Sequence, residues 1–201
     1  MNNIINILKE QKSIPLDQYI NIALYNKDAG YYMKKNPFGK EGDFITSPLI
    51  SNLFGEMLAV WCVAFWEHLK KPKKIKIVEL GPGDGSLCNN LLKTFKNFKN
   101  FFECLEINLL EISDKLKVIQ KTNIKSQKVK WIKDINEINN DPVIFICNEF
   151  FDALPMKQLQ KKRGVFFERF VTYSKNKYHL RTSYKKAKKS LVKKDKKFKF
   201  R

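Results

Sequence analysis

An α/β fold built on a parallel sheet is what this chain of 201 residues predicts, and three observations carry it. Short apolar runs alternate with helix-patterned segments from residue 75 to about residue 155. Runs such as "IKIVEL" and "PVIFIC" lack in–out alternation, the mark of strands covered on both faces. The first strand leads straight into a glycine-rich turn, "GPGDGS" at 81–86, which opens a helix.

Taken in order, "SIPLDQYINIALYN" reads as a helix with Ser13 as its cap and Pro15 in its first turn. Leu16, Tyr19, Ile20, Ala23 and Leu24 share one face of it. "DAGYY" breaks the helix, and "NPFGKEGDFITS" is a polar, glycine-punctuated loop. The strongest helical pattern is "SPLISNLFGEMLAVWCVAFWEHL", capped by Ser47 with Pro48 at its first position. Its core side is expected to be Ile50, Leu53, Phe54, Met57, Leu58, Trp61 and Phe65. Strand, turn and helix then alternate: "IKIVEL", "SLCNNLLKTF", a strand within "FECLEINLLEIS", "DKLKVIQKT", "VKWIKDI" and "PVIFICNEFFDAL". Finally "GVFFERFVTY" and "KYHLRTS" alternate around "SKNK", an antiparallel hairpin. The expected organisation is a helical segment over 1–72, a sheet core over 73–160, a hairpin over 161–183 and a basic tail over 184–201.

Hydrophobic residues make up 43% and aromatics 13%, which excludes a disordered chain. The four cysteines form no CxxC pair and read as free thiols in a reducing compartment, without a metal site. No apolar run reaches the roughly 18 residues a membrane span needs. The start has no basic region of the secretory kind, so a cytoplasmic protein is expected. Of the net charge of +19, residues 171–201 supply +12, with Asp195 their one acid. A solvated, composition-biased tail explains that, and a contact with RNA or an anionic membrane surface is the alternative, with the enzyme-like half then vestigial.

The glycine turn decides the ligand class. A dinucleotide turn requires G-x-G-x-x-G, whereas Gly81, Gly83 and Gly85 give G-x-G-x-G. A P-loop would end in Gly-Lys-Ser/Thr, which is missing. Asp84 inside the turn and Glu79 before it would repel phosphates and attract a cation. S-adenosylmethionine fits that sign: an ammonium, a sulfonium, no phosphate, and a carboxylate suited to amides at a helix start. Glu111, at the end of the second strand, can accept both ribose hydroxyls. It lies 30 residues after Gly81, against roughly 20 in dinucleotide folds. After the third strand, Asp134 can accept from the adenine amino group, with Ile135 packing on the ring. The fourth strand ends in "NEFFDALP", where open α/β sheets place their chemistry. Asn148, Glu149 and Asp152 there suit a cationic acceptor such as a guanidinium. Asp152 reads equally well as a cap of the following turn, whereas Asn148 fits the acceptor role better than a cap.

Four stretches together, "DAGYYMKKNPFGKEGDFITSPLISNLFGE", "VELGPGDGSL", "LLEISDKLKVIQ" and "NEFFDALPMKQLQ", resemble the MidA family of S-adenosylmethionine-dependent methyltransferases. These are bacterial relatives of the mitochondrial protein-arginine methyltransferase that assists complex I assembly. The resemblance runs from about residue 13 to about 173. It implies a Rossmann-like methyltransferase sheet, a protein substrate accepting on an arginine side chain (a complex I subunit), and Gly81, Gly83, Gly85 and Glu111 around the cofactor. It also implies that Asp43 and Thr46 of "GDFITS" close over that cofactor. Members of the family are longer and continue through three more strands. The expectation is therefore a half-sheet with an uncovered fourth strand, produced by a split gene, by a frameshifted remnant, or by half of a two-chain enzyme whose partner is a complementary C-terminal chain.

Overall fold

The computed structural model describes residues 2–28, 30–34, 51–174 and 179–194. The chain divides into two compact units, residues 1–34 with 153–201, and residues 35–152.

The unit over 35–152 holds the parallel sheet. Strands β2 (Ile75–Leu80), β3 (Leu105–Leu110), β4 (Val129–Ile132) and β5 (Val143–Ile146) lie in the order β4-β3-β2-β5, all parallel. Ile77 sits beside Ile107 on one side and Ile144 on the other. Parallel pairing brings the C-terminal ends of all four strands to one edge, where the glycine turn and "NEFF" emerge.

Helices α4 (Asn52–His68), α5 (Ser86–Phe95) and α6 (Lys99–Cys104) cover one face. The core joins Ile75, Ile77, Ile107 and Leu109 of the strands to Leu91 and Phe95 of α5, Trp66 of α4 and Phe101 of α6. Helix α7 (Asp114–Asn123) connects β3 to β4, capped by Ser113, whose hydroxyl accepts from the Leu116 amide. The opposite face buries Val78, Leu80 and Ile132 beneath Ile138 and Phe150.

Both-sided cover, expected for every strand, holds for β2 and fails for β5. Phe145 on β5 is 45% exposed, and among the described residues β5 pairs with β2 alone. Among the described residues β5 is an edge strand of the parallel sheet.

The face of α4 differs from the expected one. Gly55, Ala59, Cys62, Val63 and Trp66 are buried, while Met57 is 65%, Leu53 59% and Trp61 53% exposed, and Phe54 and Phe65 are exposed too. The helix is apolar almost all round, so periodicity could not choose its inner face. Side-chain size chose it: a Cβ on Gly55 would stand 2.8 Å from Asn90 Cβ of α5, and small residues let two helices approach that closely. Ser51 caps the helix, accepting from the Leu53 amide; Ser47, Pro48 and Ile50 lie outside the described residues.

In the other unit, β1 (Ser13–Pro15), β6 (Leu159–Lys162), β7 (Val165–Ser174) and β8 (His179–Lys186) form an antiparallel sheet. Ser13 is thus no helix cap. Pro15 holds its chain extended (φ −54°, ψ 147°), Ile14 is buried against Val171, and α2 (Leu16–Tyr25) begins only after it. The expected hairpin is β7–β8, extended by three residues to Lys186. β6 joins it through the tight turn Arg163-Gly164, whose φ values are both positive, a turn the sequence reading passed over. Helices α1 (Asn2–Gln11), α3 (Tyr31–Lys34) and α8 (Lys189–Lys194) complete this unit, so the basic segment starts as ordered structure. The two units cut across the four expected segments: α4 goes with the parallel sheet, and residues 153–160 with the antiparallel one.

Candidate functional site

β2 ends at Leu80, and the chain turns through Gly81, Gly83 and Gly85 with φ of 64°, 57° and 84°. Only glycine takes such a run without strain. Gly85 is the left-handed residue that starts α5, and the Asp84 carboxylate accepts from the Ser86 amide at 3.0 Å. Gly81 carries a second constraint, because a Cβ there would stand 2.6 Å from the Phe150 ring. The turn after β2 therefore touches the segment after β5. A Gly81→Ala chain is expected to melt several degrees lower, since the left-handed backbone alone costs about 1–2 kcal/mol. It should also bind cofactor weakly; an unchanged melt and affinity would show that the ring yields freely.

Glu79 stands just before the turn, 3% exposed, on the face that meets the helices. Its Oε2 has no hydrogen-bond partner among the described residues. Burial, and next the Asp84 charge, push its pKa from 4.5 up to about 8. A buried carboxyl with an idle oxygen is costly unless a donor arrives.

Glu111 follows β3 and is also buried. Its Oε1 accepts from the Ser113 amide at 2.8 Å and its Oε2 from the Gln120 side chain at 3.2 Å. Burial raises its pKa, opposed by those bonds, the Ile112 amide and the Lys117 charge. A carboxylate that takes these three donors still keeps acceptor capacity for a further one.

Asp134 and Ile135 follow β4, as expected from the sequence. Asp134 Oδ1 accepts from both the backbone and the side-chain amide of Asn136, capping a short 3₁₀ turn over Ile135–Glu137. Ile135 is exposed. Asn148, Glu149 and Asp152 follow β5: Asn148 half-buried, both acids exposed. Glu149 has φ +47°, a left-handed conformation unfavourable for any residue with a Cβ. Asp43 and Thr46 lie outside the described residues. Ten of the residues singled out from the sequence therefore lie along one edge of the sheet, at the ends of β2, β3, β4 and β5.

The geometry missed by sequence reasoning is the contribution of α7. Gln120 donates to the Gly83 carbonyl at 2.7 Å, and Asn123 donates to the Asp84 carbonyl at 2.9 Å. The signal was a glutamine on the inner side of an otherwise apolar helix face.

Residues 57–200 match the family model of S-adenosyl-L-methionine-dependent methyltransferases designated Methyltransf_28. The chain belongs to this methyltransferase family. Its cofactor is S-adenosyl-L-methionine, and the site suits that molecule: the idle Glu79 oxygen awaits a cationic donor, and Glu111 has acceptor capacity in reserve. Two relatives of the chain are named protein arginine methyltransferase NDUFAF7, mitochondrial. The Xenopus laevis protein is 35% identical over 85% of this chain and 45% of its own length. The human protein is 31% identical over 82% and 43%. The chain thus spans less than half the length of the relatives it matches. A crystal structure of a COG1565 superfamily protein from Burkholderia thailandensis, bound to S-adenosyl-homocysteine, superposes with a TM-score of 0.76 at 22% identity. It covers 97% of this chain and 51% of that one. A native structure of a protein of the same superfamily and organism gives 0.72 at 21% identity, covering 95% and 48%. Both share the fold of this chain over about half of their own length.

Proposed function

We propose that the chain carries the cofactor half of a protein arginine N-methyltransferase, with a subunit of respiratory complex I as acceptor protein. The observation that supports this most is the contact of Phe150 with Gly81, which sets "NEFFD" directly against the cofactor turn. Exposed carboxylates there suit a guanidinium, which binds carboxylates through paired hydrogen bonds. The relatives named as arginine methyltransferases point the same way, and the complex I acceptor follows from the MidA resemblance. The complementary partner is a chain that pairs with the open edge of β5. The free thiols, with Cys62 and Cys88 buried, fit a reducing, cytoplasmic setting.

When bound, S-adenosylmethionine supplies an electrophilic methyl group. The acceptor nitrogen, gaining the carbon that the sulfonium gives up, would pass its proton to the Glu149 carboxylate. Glu149 and Asn148 hold the guanidinium by hydrogen bonds, draw its positive charge away from the reacting nitrogen and keep it oriented. Asp152 adds charge on the same side.

Glu149→Gln, made in the chain joined to a complementary C-terminal half, is expected to leave S-adenosylmethionine affinity within about twofold. Methylarginine formation should fall by roughly 100-fold or more, the usual worth of a positioned acid–base group. Mass spectrometry of an arginine acceptor and calorimetry of the cofactor read the two effects separately. Methylation at the parental rate would remove Glu149 from the mechanism. Because Glu149 sits at positive φ, the glutamine variant is preferable to a smaller residue, which would change the local backbone.

A further inference from the structure

Helix α7 and its C-cap residue Ile124 reach the glycine turn at three points. Gln120 and Asn123 donate to the carbonyls of Gly83 and Asp84, and a Cβ on Gly85 would meet Ile124 Cδ1 at 2.8 Å and Gln120 Cγ at 3.4 Å. Gln120 is fully buried, and its three hydrogen bonds lead to three separate parts of the fold. Its amide nitrogen donates to Gly83 O at 2.7 Å and to Glu111 Oε2 at 3.2 Å, and its oxygen accepts from Trp131 Nε1 of β4 at 2.8 Å.

The direction of these bonds is fixed by chemistry. An indole N–H can only donate, so the glutamine oxygen must face Trp131. The two hydrogens on its nitrogen are then left for two acceptors, the turn carbonyl and the carboxylate. Rotating the amide by 180° would set its nitrogen against another donor and its oxygen against two acceptors. No other hydrogen-bonding arrangement satisfies all three neighbours.

We propose that Gln120, oriented by Trp131, is the positioning residue that ties the glycine turn to Glu111 and so sets the distance between the two halves of the cofactor pocket. The inference rests on the cofactor reading, in which the turn holds the amino-acid end of S-adenosylmethionine and Glu111 its ribose. Turn and carboxylate lie on different strand ends, and Gln120 bonds to both. It aims Glu111 from the protein side while the remaining acceptor capacity of the carboxylate faces the ribose. A core glutamine serving only its own burial would need no link to the ligand-facing carboxylate.

The test is titration of S-adenosyl-homocysteine and its 2′-deoxy counterpart into the wild-type chain, Gln120→Met and Trp131→Phe, with thermal melts of each. Methionine keeps the length and volume of glutamine and removes the hydrogen bonds. Gln120→Met is expected to weaken S-adenosyl-homocysteine roughly tenfold, the worth of one buried charged hydrogen bond. The 2′-deoxy ligand should lose less, so the preference for the hydroxylated ribose shrinks toward one. Trp131→Phe retains every Gln120 atom but frees its amide to rotate; it should reduce the same preference by a smaller factor. A lower melting temperature in both variants with the wild-type preference intact would overturn the proposal, leaving Gln120 a core residue. If Gln120→Met does not fold, the Trp131→Phe preference decides by the same criterion. A wild-type chain that binds neither ligand would overturn the cofactor reading, and this inference with it.

Discussion

Alanine at Glu111 is expected to weaken S-adenosylmethionine by at least about 100-fold, because two ribose hydroxyls lose a charged acceptor worth roughly 1.5–3 kcal/mol each. Calorimetry on a chain whose melting curve is otherwise normal reads this directly. The fold should survive. Burial raises the pKa of Glu111 despite the bonds from Ser113 and Gln120 and the charge of Lys117, so the free chain gives up stability to keep this carboxylate. Its removal relieves that cost even as Ser113 N–H and the Gln120 amide lose their acceptor. Affinity unchanged by Glu111→Ala would end the ribose assignment, and tighter binding of NAD than of S-adenosylmethionine would end the cofactor assignment.

The second large effect is on pH. Below its ordinary value of 4.5, Glu79 is protonated in both folded and unfolded chains and contributes nothing to pH dependence. Between there and about 8 the unfolded chain releases a proton that the folded chain retains, so stability falls as pH rises through this window. Above about 8 both forms are ionised and the loss is complete. The ligand-free chain should therefore melt progressively lower from pH 5 to pH 8, by an amount on the order of several kcal/mol in stability. Glu79→Gln should flatten the slope. A cationic ligand reverses the preference, since its ammonium offers the idle Oε2 a donor and favours the carboxylate. Binding near neutral pH should then expel about one proton, visible as different apparent heats in buffers of different ionisation enthalpy. Equal heats in all buffers, or a wild-type melt as flat as the variant's, would mean that Glu79 is already ionised when free.

The parallel sheet was legible because its strands are apolar on both sides at β2 and β3, and because only a strand-to-helix turn explains three glycines at alternate positions. Glu111 was legible for the same reason: strand order alone puts the acid after β3 beside the turn after β2. What escaped were properties set by three-dimensional partners. The inner face of α4 depends on how closely Gly55 approaches Asn90, which no periodicity reports. Pro15 looked like a first-turn residue until β7 supplied a strand for Ser13 to pair with. Gln120 sits nine residues beyond Glu111, and its meaning appears only when Trp131 and Gly83 are brought to it.

The contact between Gly81 and the Phe150 ring also restricts how a lineage carrying this pocket can drift. A methyl group enters at 81 only if the phenyl ring, 2.6 Å from its position, moves aside, so one order of change at the two sites costs less than the other. Trimming the ring first, for example to leucine, costs packing but leaves a viable intermediate, after which alanine at 81 meets only the backbone penalty of its positive φ. The reverse order passes through a chain that carries the clash and the strain together. Position 150 therefore acts as the gatekeeper of history for the glycine turn, although it lies 69 residues downstream of Gly81 in the sequence.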